Sequence, residues 1–503
     1  MSAFPRRAIL LGGCGALGAG VLSSCSGDSM SGTSGMSGTS GSGHGAMPTK
    51  TFGAPTPIAP APGQKVVSAT VRAQQTTLDL AGRPAATWGY GDAIPGPVLR
   101  ARAGDFLRVT LDNQLPDPTT IHWHGIRLRN AADGVPGLTQ DPVAAGTQYL
   151  YEFTAPDPGT YWFHPHVGTQ LARGLYAPLI IDAPDEPGDY DAEWVVVLDD
   201  WIDGTGTTPD DVLAKLIADG GSRDGGLQMG MDHMGHGSMV PPWGAAGDVT
   251  YPHYLVNGRV PADPQVFEAK PGQGVRIRLI NAASDTVFTV ALGGHELTVT
   301  DTDGYAVQPE RVGALYIGMG ERYDVTVTCA DGVFPLVALP FGKSGRALAL
   351  LRTGTGDPPA AEVNPTELAG PVLVGSQLRP AEGTTLPARS VDATVKLVLQ
   401  GSMKPYLWGI NGAVYGENDP LTVKSGQRLR IEATNMTMMT HPLHLHGHTF
   451  ALPSGLRKDT VLLAPMQSLA IDLDADNPGD WMVHCHNTYH AEAGMMIGLN
   501  YSV

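Results

Sequence analysis

Ten of the sixteen histidines in this chain of 503 residues fall into four short clusters. In a β-strand, residues i and i+2 share a face, so a His-x-His pair presents two imidazoles together. Imidazole binds copper, zinc, iron and nickel, and histidine alone does not decide among them. Four such pairs predict transition-metal sites that are built on strands. The clusters are His122/His124, His164/His166, His441/His444/His446 and His484/His486/His490.

Cys485 narrows the choice of metal, because it lies between two histidines of the last cluster. In a strand its side chain points away from both neighbours, so one strand supplies two sites. On the cysteine side, His490 and Met495 follow at five and ten residues, and His441 can come from a neighbouring strand. Two histidines, one cysteine and a distant methionine form the set of a blue-copper electron-transfer site. Zinc would require a closer fourth ligand and has no redox use for this geometry.

The opposite face of the same strand predicts a second site. Eight imidazoles are too many for one ion, but they fit a cluster of three copper ions. An electron that leaves the blue copper would pass through Cys485 and one backbone link to either flanking histidine. The eight residues are His122, His124, His164, His166, His444, His446, His484 and His486.

A repeated strand shows how the chain positions these ligands. The segments 103–113, 271–281 and 425–435 each have glycine second, alternating apolar residues and a final asparagine, which indicates strands with one buried face. Clustered histidines follow the first and third copies, but only His295 follows the second. We therefore expect an all-β fold of three homologous β-sandwich domains, in which the middle domain is a structural spacer. One short helix is predicted at 208–221, with a capping threonine and a proline at its start.

The overall composition argues against two kinds of protein. The net charge of −17 argues against nucleic-acid binding, and the two cysteines of the body, Cys329 and Cys485, make no disulfide framework.

Composition and repeats divide the chain into five segments. The middle domain carries a methionine-rich insertion at 225–240. The segments are a signal peptide at 1–24, a flexible Gly/Ser/Met tether at 25–64, and domains at 65–185, 186–365 and 366–503.

The N-terminus predicts export from the cytoplasm. Arg6 and Arg7 precede an apolar run from Ala8 to Leu22, which is too short to span a bilayer and is typical of a signal peptide. The arginine pair is compatible with the twin-arginine route. The sequence LSSC favours a lipoprotein anchored through Cys25 at the outer face of the cell membrane or in the cell envelope. Ordinary cleavage among the nearby small residues is the alternative.

The motifs HWHG, HPH, HPLHLHGH and HCHNTYHAEAGM resemble those of the three-domain multicopper oxidases, over residues 65–503. The resemblance is greatest to the actinobacterial copper-resistance oxidases, which are exported lipoproteins. It implies three cupredoxin-like Greek-key β-sandwich domains and four copper ions, which pass four single electrons from a donor to O2. It also implies the ligands: His441, Cys485, His490 and Met495 for type 1 copper, His122 and His444 for type 2, and His124, His164, His166, His446, His484 and His486 for the type 3 pair.

Reduction of O2 to water also consumes four protons, so carboxylates near the cluster are candidates for catalysis. Asp133 matches the position of the family's cluster acid, although an Asp-Gly pair is also typical of a turn. Several bacterial relatives have glutamate directly after the last type 1 histidine. Here that residue is Ala491 and Glu492 comes next, and in a strand this shift would turn the carboxylate to the opposite face.

The methionine-rich insertion bears on the electron donor. Thioethers bind Cu(I), and this glycine-rich segment has no apolar period, so it is either a Cu(I)-gathering loop or a plain insertion. We therefore expect a monomeric exported oxidase that converts Cu(I) to Cu(II) in copper detoxification. A laccase-like oxidase of phenols and aromatic amines is the alternative, and the eight-histidine set argues against a non-enzymatic copper store. The residues of the proposed loop are Met229, Met231, Met234, Met239, His233 and His236.

Overall fold

The structure, a computed structural model, describes residue 52 and residues 56–184, 190–220 and 242–502. Three predictions lie outside these residues: the signal peptide, the lipid anchor at Cys25 and the Cu(I) loop with Met229, Met231, Met234, His233 and His236. Among the described residues, no helix is long and apolar enough to cross a membrane.

The first group of strands forms two four-stranded sheets, with orders β2-β1-β4-β6 and β3-β8-β7-β5. Their bounds are β1 (Val66–Asp79), β2 (Pro84–Tyr90), β3 (Leu99–Arg102), β4 (Phe106–Asn113), β5 (His122–His124), β6 (Gln148–Thr154), β7 (Gly159–His164) and β8 (Ala177–Asp182).

The second group forms two six-stranded sheets, with orders β10-β9-β12-β17-β14-β15 and β11-β19-β18-β13-β16-β20. Helix α1 (Pro209–Gly220) follows its first strand. The bounds are β9 (Ala192–Trp201), β10 (His253–Val256), β11 (Gln265–Glu268), β12 (Gly274–Asn281), β13 (Phe288–Leu292), β14 (Leu297–Thr302), β15 (Tyr305–Val312), β16 (Ala314–Ile317), β17 (Arg322–Thr328), β18 (Val333–Pro340), β19 (Ala347–Arg352) and β20 (Val372–Leu373).

The third group forms a six-stranded sheet, β22-β21-β24-β29-β26-β27, and a five-stranded sheet, β23-β31-β30-β25-β28. Helix α2 (Thr488–Glu492) precedes its last strand. The bounds are β21 (Ala393–Met403), β22 (Tyr406–Ile410), β23 (Leu421–Lys424), β24 (Arg428–Asn435), β25 (His441–Leu445), β26 (Phe450–Ala451), β27 (Arg457–Lys458), β28 (Thr460–Leu463), β29 (Ser468–Asp474), β30 (Asp480–Cys485) and β31 (Met496–Ser502).

The predicted repeat occupies the same place in each group. Its three copies are β4, β12 and β24, and each pairs in parallel with the first strand of its group: β1, β9 and β21. Each also pairs antiparallel with a later strand: β6, β17 and β29. Apolar residues that alternate along these strands pack into large buried cores, one of which runs through the second and third groups.

The asparagine that ends each repeat strand forms a corner. Asn113, Asn281 and Asn435 are all 0% exposed. Each side-chain amide donates to backbone carbonyls across the corner, and each side-chain oxygen accepts the N–H of the residue two positions later. Because buried polar groups need partners, these bonds fix the course of the chain after the strand. In the first and third groups, that course leads to the histidine strands β5 and β25.

Of the two α-helices among the described residues, one was predicted and the other was not. Helix α1 begins as expected: Thr208 Oγ1 accepts the N–H of Asp211 at 3.1 Å, and the Asp211 carboxylate accepts the N–H of Thr208 at 3.0 Å. The expectation of a strand around Glu492 is wrong, because Asn487 caps a helical turn, α2, by accepting the backbone N–H groups of Tyr489 and His490.

Candidate metal centre

Three chelating side chains, which we call the cysteine group, meet at the end of β30. Cys485 Sγ lies 3.5 Å from Nδ1 of His441 and 3.7 Å from Nδ1 of His490, and the two Nδ1 atoms are 3.1 Å apart. All three residues are 0% exposed, and so is Met495, whose backbone carbonyl accepts the N–H of Cys485 at 3.1 Å. The fold thus brings the predicted type 1 residues to one place.

The outer nitrogens of both rings in the cysteine group have polar partners. His441 Nε2 lies 2.7 Å from Thr437 Oγ1, and His490 Nε2 lies 3.0 Å from Asp248 Oδ2. Such contacts orient a ring so that its other nitrogen faces the metal position. Burial lowers the pKa of His441 well below its usual value. Burial also acts to lower the pKa of His490, but the Asp248 carboxylate outweighs it and raises that pKa to about 10.

The histidines on the opposite face of β30 belong to a second cluster, which we call the eight-histidine group. It joins strands β5 and β7 of the first group to β25 and β30 of the third. The ring of His122 stacks on that of His446 at 3.7 Å, and the ring of His124 stacks on that of His444 at 3.8 Å. The fold thus assembles all eight predicted residues: His122, His124, His164, His166, His444, His446, His484 and His486.

The ring nitrogens that lack a hydrogen bond show whether the eight-histidine group fits copper. Buried polar atoms are normally satisfied, and a ring held through one nitrogen leaves the other for a metal. Outer Nδ1 atoms of the group accordingly contact backbone carbonyls, as His122 does with Asp133 at 2.9 Å and His164 with Pro165 at 2.9 Å. The nitrogens without a partner among the described residues are His122 Nε2, His124 Nδ1, His164 Nε2, His444 Nε2 and both nitrogens of His486.

Burial favours the neutral form, which a metal requires, in several of these imidazoles. Burial, and then the neighbouring histidines, lower the pKa of His164 well below its usual value. Burial has the same effect on His124, where it outweighs the opposing influence of Asp459. Neutral imidazole is the ligating form, so the group fits several copper ions without first losing protons to water.

Asp133 lies beside the eight-histidine group, as expected for a carboxylate that serves the predicted copper cluster. Its side chain is 0% exposed, its Oδ2 lies 3.0 Å from His446 Nδ1, and its Oδ1 lies 3.2 Å from His122 Nδ1. One residue therefore orients two imidazoles from different strand groups: its carboxylate contacts His446, and its backbone carbonyl contacts His122. The turn interpretation is also satisfied, because Gly134 has a φ of 78°, where a Cβ would clash with the carbonyl of Ile121.

Glu492 reaches the metal region because of the helix that the sequence did not predict. Together with His164, His166, His484 and His486, it lines a cavity of about 30 Å³. Burial, and then the charge of Asp210, raise the pKa of Glu492 to about 7. A carboxyl group with this pKa, beside the eight-histidine group, can exchange protons near neutral pH.

Two important residues escaped the sequence analysis. Asp459 Oδ1 lies 3.3 Å from His124 Nε2 and 3.6 Å from His444 Nδ1, and the guanidinium of Arg322 binds both oxygens of Asp459 at 2.6 Å. Arg322 holds the pKa of Asp459 well below its usual range, although burial opposes this. No motif surrounds either residue, so no sequence signal could have found this pair.

The middle strand group was predicted to be a structural spacer, but it also contributes residues that contact the candidate metal ligands. It supplies Arg322, and it supplies Asp248 to the cysteine group. Its Gly320 has a φ of 85°, and a Cβ there would lie 2.9 Å from His486 and 3.0 Å from His124. All three strand groups therefore contact the candidate metal ligands.

Comparison with known proteins agrees with this geometry. Three family models, each described as multicopper oxidase, match residues 72–186, 229–356 and 389–502. Multicopper oxidase MmcO of Mycobacterium tuberculosis is 47% identical over 87% of each chain. A copper resistance protein A homolog of Pseudomonas syringae pv. tomato is 30% identical over 84% of this chain and 90% of its own.

A solved multi-copper oxidase from Pseudomonas thermotolerans superimposes with a TM-score of 0.67 at 29% identity, covering 87% of this chain and 100% of its own. The likeness extends over all three strand groups, each of which is a cupredoxin-like β-sandwich domain. Since both the sequence and the arrangement of histidines and cysteine match, the chain belongs to the multicopper oxidase family and is an oxidoreductase of that type.

Proposed function

We propose that this oxidase takes electrons from Cu(I) at its cysteine group and uses four of them to reduce O2 to two waters. Bound copper ions supply the one-electron transfers and the chemistry of O2. The observation that carries the choice of Cu(I) is the position of the residues that flank the methionine-rich insertion. Both flanks are linked to the cysteine group through a few intervening residues.

The flank before the insertion ends at Gly220, the last residue of α1. Gly220 packs so closely on Tyr406 that a Cβ would lie 2.3 Å from the Tyr406 backbone nitrogen. The Tyr406 hydroxyl donates to Asp248 at 2.7 Å, and Asp248 lies 3.0 Å from His490 Nε2. Few side chains therefore separate this flank from a ligand of the cysteine group.

The flank after the insertion approaches the same group from the strand that bears His441. The carbonyl of Trp243 accepts the N–H of Thr440 at 3.1 Å, and the carbonyl of Met438 accepts the N–H of Ala245 at 3.1 Å. A segment joined to the fold at these two points can present its thioethers near the electron-accepting site. Thioether sulfur is a soft ligand that favours Cu(I).

In this proposal His441, Cys485, His490 and Met495 hold the type 1 copper, and the eight-histidine group holds one type 2 and two type 3 ions. The covalent path between the two sites is short, because Cys485 is bonded in sequence to His484 and His486. The carbonyl of Pro442 accepts the N–H of His486 at 2.7 Å and holds that link in place.

Two acids complete the proposal. Asp133 orients His122 and His446, and Glu492 lines the cavity through which protons can reach the eight-histidine group. Copper resistance also appears in the name of the Pseudomonas syringae relative, which supports a role in copper detoxification.

The test is O2 uptake with Cu(I) and with a simple diphenol, on copper-loaded protein with the copper content measured on the same sample. Deletion of residues 227–240 should lower kcat/KM for Cu(I) about tenfold, a loss of ~1.4 kcal/mol of transition-state stabilisation, because a collecting ligand is removed. The value for the diphenol should not change. A length-preserving control replaces the methionines of the segment by leucine, which removes the sulfur and keeps the chain.

Equal Cu(I) turnover before and after the deletion would contradict the role of the segment. Faster oxidation of the diphenol than of Cu(I) by the unaltered protein would favour the laccase-like alternative. Absence of O2 uptake with every donor, in fully loaded protein, would contradict oxidase activity altogether.

A further inference from the structure

Asp285, in the turn between β12 and β13, accepts several buried hydrogen bonds although it is not a candidate metal ligand. It is 2% exposed. Lys343 Nζ donates to its carboxylate at 2.7 Å, and the backbone N–H groups of Asp248 and Val249 donate to the same carboxylate at 3.1 and 2.9 Å. The amide of Asn487 donates to it as well.

Asn487 transmits this contact to the cysteine group. Its side-chain oxygen accepts the N–H of Tyr489 at 3.0 Å and of His490 at 3.2 Å, which begins the helical turn α2. Its own backbone N–H donates to Cys485 Sγ, with 3.4 Å between the nitrogen and the sulfur. Asn487 therefore contacts the sulfur through its backbone and the following helical turn through its side chain.

The same carboxylate holds the segment that bears Asp248, whose side chain contacts His490. The preceding Gly247 lies so close to Asp285 that a Cβ would come within 2.3 Å of its Oδ2. Only glycine allows this approach. Asp285 is thus bonded on one side to the residue that caps α2 and on the other to the chain next to Asp248.

We propose that Asp285 is a positioning residue that sets the reduction potential of the type 1 copper through Asn487. This inference rests on the proposed copper at the cysteine group. Hydrogen bonding around the cysteine sulfur is one of the determinants of a blue-copper potential. An N–H donor withdraws electron density from the thiolate and favours the reduced state, so loss of the donor's orientation lowers the potential.

Two variants test the contact between Asp285 and Asn487, one at each residue. Asp285→Asn removes the charged acceptor, and Asn487→Ser keeps a capping hydroxyl for α2 but cannot donate an amide to Asp285. We expect each to lower the equilibrium constant for reduction of the type 1 copper about tenfold, which is 59 mV for a one-electron couple. The double variant should shift no further than either single one, because both act through one contact.

The control is Asp324→Asn, which removes another buried carboxylate of the middle domain. Asp324 is bound by Arg276 and Arg278 at 2.5 and 2.9 Å, so its loss also breaks buried ion pairs. It should lower stability without changing the type 1 potential. A second readout is amide hydrogen exchange, which should quicken at Tyr489 and His490 in Asp285→Asn but not in Asp324→Asn.

An unchanged potential in Asp285→Asn, or shifts that add in the double variant, would overturn the inference while leaving the proposed function intact. Loaded wild-type protein that shows no blue absorption band would overturn both. The two failures are therefore separable in one series of measurements.

Discussion

At the scale of single residues, the site is shaped by carboxylates as much as by histidines. Asp133, Asp248 and Asp459 are each in contact with the outer nitrogen of at least one candidate ligand. Partners of this kind fix the ring orientation and the tautomer, and their loss weakens metal binding. Glu492 differs from them, because it lines the cavity without holding a ring.

Glu492→Gln tests this difference. We expect reoxidation of the reduced enzyme by O2 to slow about 100-fold, the low end of the effect of a lost general acid, because glutamine cannot supply a proton. Anaerobic reduction, by the donor, of the copper proposed at the cysteine group should keep its rate. Stopped-flow spectroscopy follows both steps separately.

The surface variant Glu432→Gln, on the exposed face of β24, is the control and should match the unaltered protein in both steps. Equal reoxidation rates in Glu492→Gln and the control would show that protons arrive by another path.

At the scale of elements, one strand and one turn of helix divide the ligands. Strand β30 directs Cys485 to one side and His484 to the other, and α2 then returns His490 to the cysteine side. The asparagine corners fix the course of the chain from the repeat strands into the histidine strands β5 and β25. Asn435 is the important case, because its amide bonds the carbonyl of Met439 at 2.8 Å, two residues before His441.

Asn435→Ala should therefore damage a metal site as well as the fold. It leaves buried backbone groups without partners, which costs about 1–3 kcal/mol for each group that water cannot reach. We expect the blue absorption band to fade at a lower denaturant concentration than that at which the strands unfold, as followed by circular dichroism.

Asn257→Ala removes another asparagine of the middle domain, whose side chain bonds the backbone of Val195 and Val197 at 2.8 and 2.7 Å and contacts no candidate ligand among the described residues. It should reduce stability and leave the blue band and the unfolding transition coincident. Loss of the band at the same point in both variants would contradict the coupling between corner and ligand.

At the scale of the whole molecule, buried charges join the middle and third domains beside the eight-histidine group. Lys458 is 0% exposed and lies 3.1 Å from Asp303 and 3.2 Å from Glu321. Burial acts to lower the pKa of this lysine, but Asp303, Tyr323 and Glu321 outweigh burial and raise the pKa. Arg322 and Asp459 continue the same network to the ligand histidines.

Lys458→Met should destabilise the protein by about 3–5 kcal/mol, because breaking a buried pair leaves uncompensated carboxylates. Equilibrium unfolding in urea measures the change. The exposed pair of Arg311 and Glu296 provides the comparison, since surface pairs contribute at most about 1 kcal/mol. Similar losses in Lys458→Met and Arg311→Ala would contradict a special role for the buried network.

The sequence by itself predicted the architecture and which histidines and cysteine the fold brings together. Alternation of side chains along a strand is a local property, so HCH predicts two sites on opposite faces, and the repeated strands predict three sandwiches. Asp133 was found differently, from the resemblance to the three-domain multicopper oxidases, in which an acid follows HWHG. The inferences from alternation and repeats need only residue types and spacing.

Only the tertiary structure decided which other residues support the ligands. Arg322 and Asp285 lie far in sequence from the histidines they affect, and Asp459 lies far from His124 although it is 15 positions from His444. A charged residue is expected at the surface until packing buries it. The orientation of Glu492 was mistaken for the same reason. A short turn of helix depends on the cap that Asn487 provides, and Asn487 is held in place by Asp285, some 200 positions earlier in the chain.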